Sequence, residues 1–162
     1  MKNGLLIATI LTGLLANAGL ALDPKVFPGK GSREAWTKAC RLLDQGVEIA
    51  KTDEAAALPK FEQAIAIYPF ADCFYRNLGV SYEKKKYPDL AKAENAYRRA
   101  TELDPKDWRN WNALANAVGD QQRFRECRDA LKKAATCHPP ANALAEINKQ
   151  IKNLDSYLVM QK

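Results

Sequence analysis

Few residues in this chain of 162 amino acids have the type and spacing that bond-making chemistry needs. His138 is the only histidine. It stands before Pro139-Pro140, where a helix has to end, and an imidazole is a favoured surface neighbour of a helix C-terminus. A Ser-His-Asp or Cys-His site would depend on this one residue. The four cysteines are Cys40, Cys73, Cys127 and Cys137, and none forms the Cys-x-x-Cys spacing of a zinc or haem site. Cys127 and Cys137, ten apart on one helical pattern, would lie about 15 Å from each other, whereas a disulfide needs Cα atoms within about 7 Å. There is no glycine-rich phosphate loop, and the acids are scattered with no convergent pair. The sequence therefore predicts no enzyme, no metal site and no cofactor.

The remaining chemistry is recognition. Asn112 and Asn116 are four apart and so share a helix face. An Asn amide carries both donors and an acceptor, which suits pairing with a polypeptide backbone. Arg76 and Arg109 carry guanidinium forks that match a carboxylate. Something regular must position these residues, and the prolines indicate what it is. Pro69, Pro105 and Pro139 are separated by 36 and 34 residues. Periods of this size mean stacked supersecondary units. Trp111, Leu114, Ala115 and Val118 form one apolar helical face, and Phe124, Cys127, Leu131 and Ala134 a second. The preceding unit repeats the arrangement with Tyr75, Leu78, Gly79 and Tyr82, then Ala93, Tyr97 and Ala100. It holds about two extra residues around Lys84-Lys85-Lys86-Tyr87-Pro88. A first unit reads Gly46 and Ile49, then Ala57, Phe61 and Ala64.

The stretch Tyr75-Arg76-Asn77-Leu78-Gly79-Val80-Ser81-Tyr82 and the ending Ala100-Thr101-Glu102-Leu103-Asp104-Pro105 resemble the tetratricopeptide-repeat family. The resemblance covers roughly residues 40–139. It implies an all-α fold, a right-handed α-solenoid of helix-turn-helix repeats. The repeats would span about 39–71, 72–107 and 108–141, followed by a capping helix over about 141–159. It further implies that the first helix of each unit lines a concave groove that holds a peptide or a helix of another protein. The groove residues would be Arg76, Asn77, Val80 and Lys84, then Arg109, Asn112 and Asn116, with Leu43, Asp44, Val47 and Lys51 as the nearest equivalents in the first unit. Some members clamp a C-terminal carboxylate with Lys and Asn of the first unit, Asn of the second, and Lys and Arg of the third. Asn77 and Arg109 occupy two of those places, but Leu43, Val47 and Ala113 fill the others, so the clamp is incomplete.

Two features of the ends follow from pattern alone. Pro59 falls where the second helix of the first unit should form, which predicts either a late start with Pro59 in the first turn or a kink. Leu144, Ile147, Ile151, Leu154 and Leu158 make one face of a last helix whose other face is polar, as a solubility cap requires. Cys40 and Cys73 fall at comparable places on neighbouring first helices. They are the candidate disulfide, at the limit of reach for helices packed about 8–10 Å apart.

The N-terminus has the three-part layout of a secretory leader: Lys2, an apolar run from Leu5, and small residues at Ala16-Asn17-Ala18 or Gly19-Leu20-Ala21. The expected arrangement is a signal peptide over 1–21, an extended linker over 22–31 and a repeat domain over 32–162. The alternative is an uncleaved membrane anchor, because the apolar stretch is about long enough to span a bilayer. Loss of Lys2 would take the formal charge from +6 to +5. This mild and diffuse basicity argues against nucleic acid as a partner. The sequence thus predicts an exported, periplasmic or secreted module that binds another protein or peptide, with a monomer expected. A scaffold that self-assembles through its repeat ends or terminal helix is the alternative.

Overall fold

The computed structural model describes residues 27–161, and the leader with its cleavage sites lies outside them. Among the described residues there are seven helices, and the chain divides after Asp104 into two compact units. In the first unit, α1 (Arg33–Ala50) pairs with α2 (Glu54–Ile67), and α3 (Asp72–Lys84) pairs with α4 (Leu90–Leu103); α2 also packs on α3. In the second unit, α5 (Trp108–Asp120) pairs with α6 (Phe124–Thr136), and α7 (Ala141–Met160) packs on α6. No described helix is long and apolar enough to cross a membrane.

Short polar side chains start most of these helices by accepting otherwise orphaned N–H groups. Ser32 Oγ accepts from Ala35 N at 3.0 Å ahead of α1. Asp53 accepts from Ala55 N and Ala56 N ahead of α2, Asp89 from Lys92 N ahead of α4, and Asp107 from Arg109 N ahead of α5. The turn from α5 to α6 is closed by Gln122 N to Gly119 O and Arg123 N to Val118 O, with Gln122 at φ 61°. That bond pair is the Schellman arrangement, in which one left-handed residue satisfies the last carbonyls of a helix. His138, at φ 54°, plays a similar left-handed part after α6 and is exposed.

The first two hairpins close by a close approach of helix to ring. A Cβ placed on Gly46 would lie 2.5 Å from Phe61 Cε1, and one on Gly79 would lie 2.5 Å from Tyr97 Cε1. Both distances are below van der Waals contact, so only glycine lets these helices approach so closely. Tyr97 cannot retreat: it is fully buried, and its hydroxyl donates to Glu83 Oε2 at 2.8 Å. The third hairpin has Ala115 and Leu131, both fully buried, at the corresponding places, a methyl more on one side and a smaller side chain on the other. A second device recurs at the start of two first helices. The large residue of a first helix reaches back six positions to the carbonyl of the preceding terminal proline. Trp111 Nε1 donates to Pro105 O at 2.9 Å, and Tyr75 Oη makes the longer 3.5 Å approach to Pro69 O.

Three features of the ends add detail to the sequence expectations. α2 begins at Glu54 and runs through Pro59, so Pro59 sits in the second turn rather than the first. The ring deprives Ala55 O of its helical donor, but Ala55 and Pro59 are both exposed, where water can serve that carbonyl. The expected linker is used structurally from Phe27 onward. Phe27 packs on the core of the first unit beneath the Arg33 guanidinium, 5.1 Å from the ring centroid. Gly31, at φ 68°, lies against Tyr68 and Phe70. These residues cover one end of an aromatic cluster in which Trp36, Tyr68 and Phe74 have ring centroids 5.1–6.4 Å apart. At the other end, α7 buries Ala143, Ile147, Gln150 and Leu154, while Leu144, Ile151 and Leu158 remain half-buried. An Arg128–Asp155 ion pair and an edge-on Phe124–Tyr157 contact fix α7 to α6.

The candidate Cys40–Cys73 bond is not formed. Both are free thiols, and both lie in the core cluster of the first unit. Burial pushes the Cys40 thiol up to about 11 and the Cys73 thiol up to about 12. The thiolate is the species that attacks in disulfide exchange, so the packing that brings the two residues into one core also keeps them protonated. Cys127 is likewise buried and raised to about 12, whereas Cys137 is half-buried at the end of α6.

Three outcomes are expected. In the reduced folded protein, a thiol reagent at neutral pH modifies Cys137 rapidly and reaches Cys40, Cys73 and Cys127 only on denaturation. The raised thiols hold their protons in the folded state past the ordinary value of 9.0. Their contribution to stability is therefore complete below about pH 9 and lost as pH rises toward 11–12, so the melting temperature falls over that window. Gly79→Ala gains about 1 kcal/mol of helix propensity but overpacks Tyr97, which costs about 1–3 kcal/mol. The variant melts several degrees lower, and Gly79→Ala/Tyr97→Leu, which copies the third hairpin, melts higher than additive losses require.

Candidate peptide-binding helix faces

The groove residues expected from the sequence fall on α3 in the first unit and on α5 in the second. On α3, Arg76 is held by Asp72 one turn earlier, Nη1 to Oδ2 at 2.9 Å, with side chains only 14% and 21% exposed. Asn77 is 9% exposed, and its Nδ2 donates to Cys73 O at 2.8 Å. Its amide therefore bonds its own helix. Val80 is half-buried, and Lys84 is exposed at the C-terminal end. In the first repeat, Leu43 belongs to the core, Val47 packs against that core, and Lys51 pairs with Glu48.

On α5 the same ordering holds for the arginine and not for the amides. Arg109 Nε approaches both Asp107 oxygens, at 2.9 and 3.1 Å. Asp107 Oδ1 also accepts from Arg109 N, so one carboxylate caps the helix and anchors the side chain. Asn112 is 6% exposed and Asn116 half-buried. The Oδ1 atoms of both are shielded from solvent and have no hydrogen-bond partner. Two acceptors four residues apart on one face are thus unsatisfied, and each such buried group costs about 1–3 kcal/mol. At the end of α5 the Asp120 carboxyl is pushed upward by desolvation.

The sequence placed the two asparagines on one face and the structure keeps them there. It did not identify Asp72 and Asp107, which occupy the two arginines. The Asp72–Arg76 spacing of four on a helix was a readable sign of that pairing.

Neither a known family model nor a curated protein sequence matches the chain. Solved structures do match it. The tetratricopeptide-repeat (TPR) domain of Arabidopsis OM64 aligns with a TM-score of 0.63 at 16% identity, covering 72% of this chain and 93% of that one. The first TPR of Spaghetti (RPAP3), bound to the HSP90 peptide SRMEEVD, aligns with a TM-score of 0.67 at 15% identity, covering 87% and 99%. The Sgt2 TPR domain from Aspergillus fumigatus aligns with a TM-score of 0.64 at 20% identity, covering 74% and 78%. The helix hairpins, their glycine–ring contacts and these likenesses agree: the chain has the all-α solenoid fold of tetratricopeptide-repeat domains.

Proposed function

We propose that this protein is an exported, non-catalytic interaction module that binds a peptide or helix of another protein, in the assembly of an envelope or secreted complex. The observation that carries the reading is the pair of unsatisfied amides on α5, Asn112 and Asn116. Rotation about χ2 exchanges Oδ1 and Nδ2, so either group can be offered outward. A polypeptide backbone supplies the alternating N–H and C=O groups that such amides lack. The leader-like N-terminus supports export. One neighbour of the same fold is bound to an HSP90 peptide, which supports a polypeptide ligand.

A terminal carboxylate of the kind the clamp holds is a poor fit to this chain. Arg76 and Arg109 already hold carboxylates. Leu43, Val47 and Ala113 replace the polar residues of the carboxylate clamp. A ligand here is held by backbone pairing and shape rather than by a terminal carboxylate.

The test is Asn112→Ala/Asn116→Ala, measured for folding and for capture of partners crosslinked from the envelope or secreted fraction. Deleting unsatisfied acceptors leaves the melting temperature unchanged or higher, because no protein hydrogen bond is lost. Capture of the partner bound by the parent chain falls at least tenfold. Full retention of that partner by the double variant would remove the α5 face from the binding site.

A further inference from the structure

The loop between α3 and α4 is where the second repeat exceeds the 34-residue period, and insertions in repeat arrays fall on loops that often bind. It carries Lys85-Lys86-Tyr87-Pro88, continuing directly from Lys84. Tyr87 is 76% exposed, an unusual position for an aromatic side chain with no packing role. The cations are arranged around rings. Lys85 Nζ and Lys92 Nζ lie 5.3 and 5.4 Å from the centroid of Tyr82, and Lys86 Nζ lies 5.6 Å from that of Tyr87. The nearby acids already have partners within the fold. Glu83 accepts from Tyr97 Oη, Glu62 from Tyr82 Oη, and Asp89 caps α4 while pairing with Lys92 at 3.5 Å. Lysine 84, 85 and 86 have no ion-pair partner among the described residues.

We infer that this lysine–tyrosine loop is a docking site for an acidic polypeptide segment, separate from the amide face of α5. An anionic bilayer is the rival for any basic loop, and the charges decide against it. A membrane surface acts on every charge within a Debye length, about 8 Å at physiological salt, at about 1 kcal/mol per lysine. The four lysines are then largely offset by Glu62, Glu83 and Asp89, and little attraction is left. A peptide carboxylate acts at contact distance. It meets Lys86 beside the exposed ring of Tyr87, with Lys84 and Lys85 next to it in the chain, while Lys92 stays with Asp89.

The experiment uses the mature chain and a fluorescein-labelled hexaglutamate peptide, followed by anisotropy. Lys85→Glu/Lys86→Glu is compared with Lys132→Glu/Lys133→Glu, an equal charge change at exposed positions on α6. The expected result is salt-sensitive binding that the loop variant loses at least tenfold and the α6 variant keeps within about twofold. Lys85→Gln/Lys86→Gln, which removes charge without reversing it, falls in between, and all variants melt with the parent because the loop is exposed. Equal losses in the loop and α6 variants would reduce the effect to net charge and overturn the docking site. Absence of hexaglutamate binding would also overturn it, as would displacement of the peptide by phosphatidylserine–phosphatidylcholine vesicles.

Discussion

The constraint on which the other contacts depend is the distance between the two helices of each hairpin. In the first two hairpins a ring lies directly on a glycine Cα, and no other residue admits that approach. The close approach fixes what else can be buried. Ala57 and Ala64 flank Phe61 on α2, and Ala93 and Ala100 flank Tyr97 on α4; all four alanines are fully buried. Small residues around one large residue give an interlocking seam with no room for a second large side chain. The third hairpin has the buried Ala115 and the smaller Leu131 at the corresponding places.

Once the helices are that close, each first helix has one face committed to its own hairpin. What remains is narrow, and its polar groups are sorted by local geometry. An arginine one turn after an aspartate closes on it, as Arg76 does. An arginine two residues after an N-capping aspartate does the same, as Arg109 does. An asparagine whose amide reaches the carbonyl one turn back is satisfied there, as Asn77 is. Asn112 and Asn116 have the same residue type and spacing, yet their oxygens find no such donor. A carbonyl oxygen needs an N–H or O–H, and the carbonyl one turn earlier offers none.

The repeat was legible because its signals are short-range and recur in phase: glycine or alanine, then an aromatic or leucine, then proline. The helix starts at Asp53, Asp89 and Asp107 are local in the same sense. What could not be read depends on contacts that pattern does not encode. The run of α2 through Pro59 rests on exposure of Ala55, a tertiary fact. The use of Phe27 to Gly31 as a cover over Trp36 and Tyr68 depends on an aromatic cluster assembled from three helices' worth of sequence. The bonds from Trp111 to Pro105 and from Tyr75 to Pro69 were hidden because these residues already had a sufficient role as packing residues. The Cys40–Cys73 pair was placed in one core by register alone, and the protonation that keeps both thiols free comes from burial.

The unsatisfied amides join stability to binding in this fold. A domain of this size is stable by about 5–15 kcal/mol, and two unpaired buried acceptors subtract a few of those. The glycine–ring seams lie on other helices and do not depend on the α5 face. A ligand that supplies two N–H donors removes the penalty as well as adding its own contacts. At the proposed α5 site, affinity would therefore arise partly from relief of a cost already present in the unbound chain. The same logic does not extend to the arginines. Arg76 and Arg109 are satisfied before any ligand arrives, and a carboxylate ligand would have to exchange one ion pair for another at little net gain. The polar character that a sequence reads as equivalent, Asn beside Arg, is thus divided by the fold into groups that are free to bind and groups that are already bound.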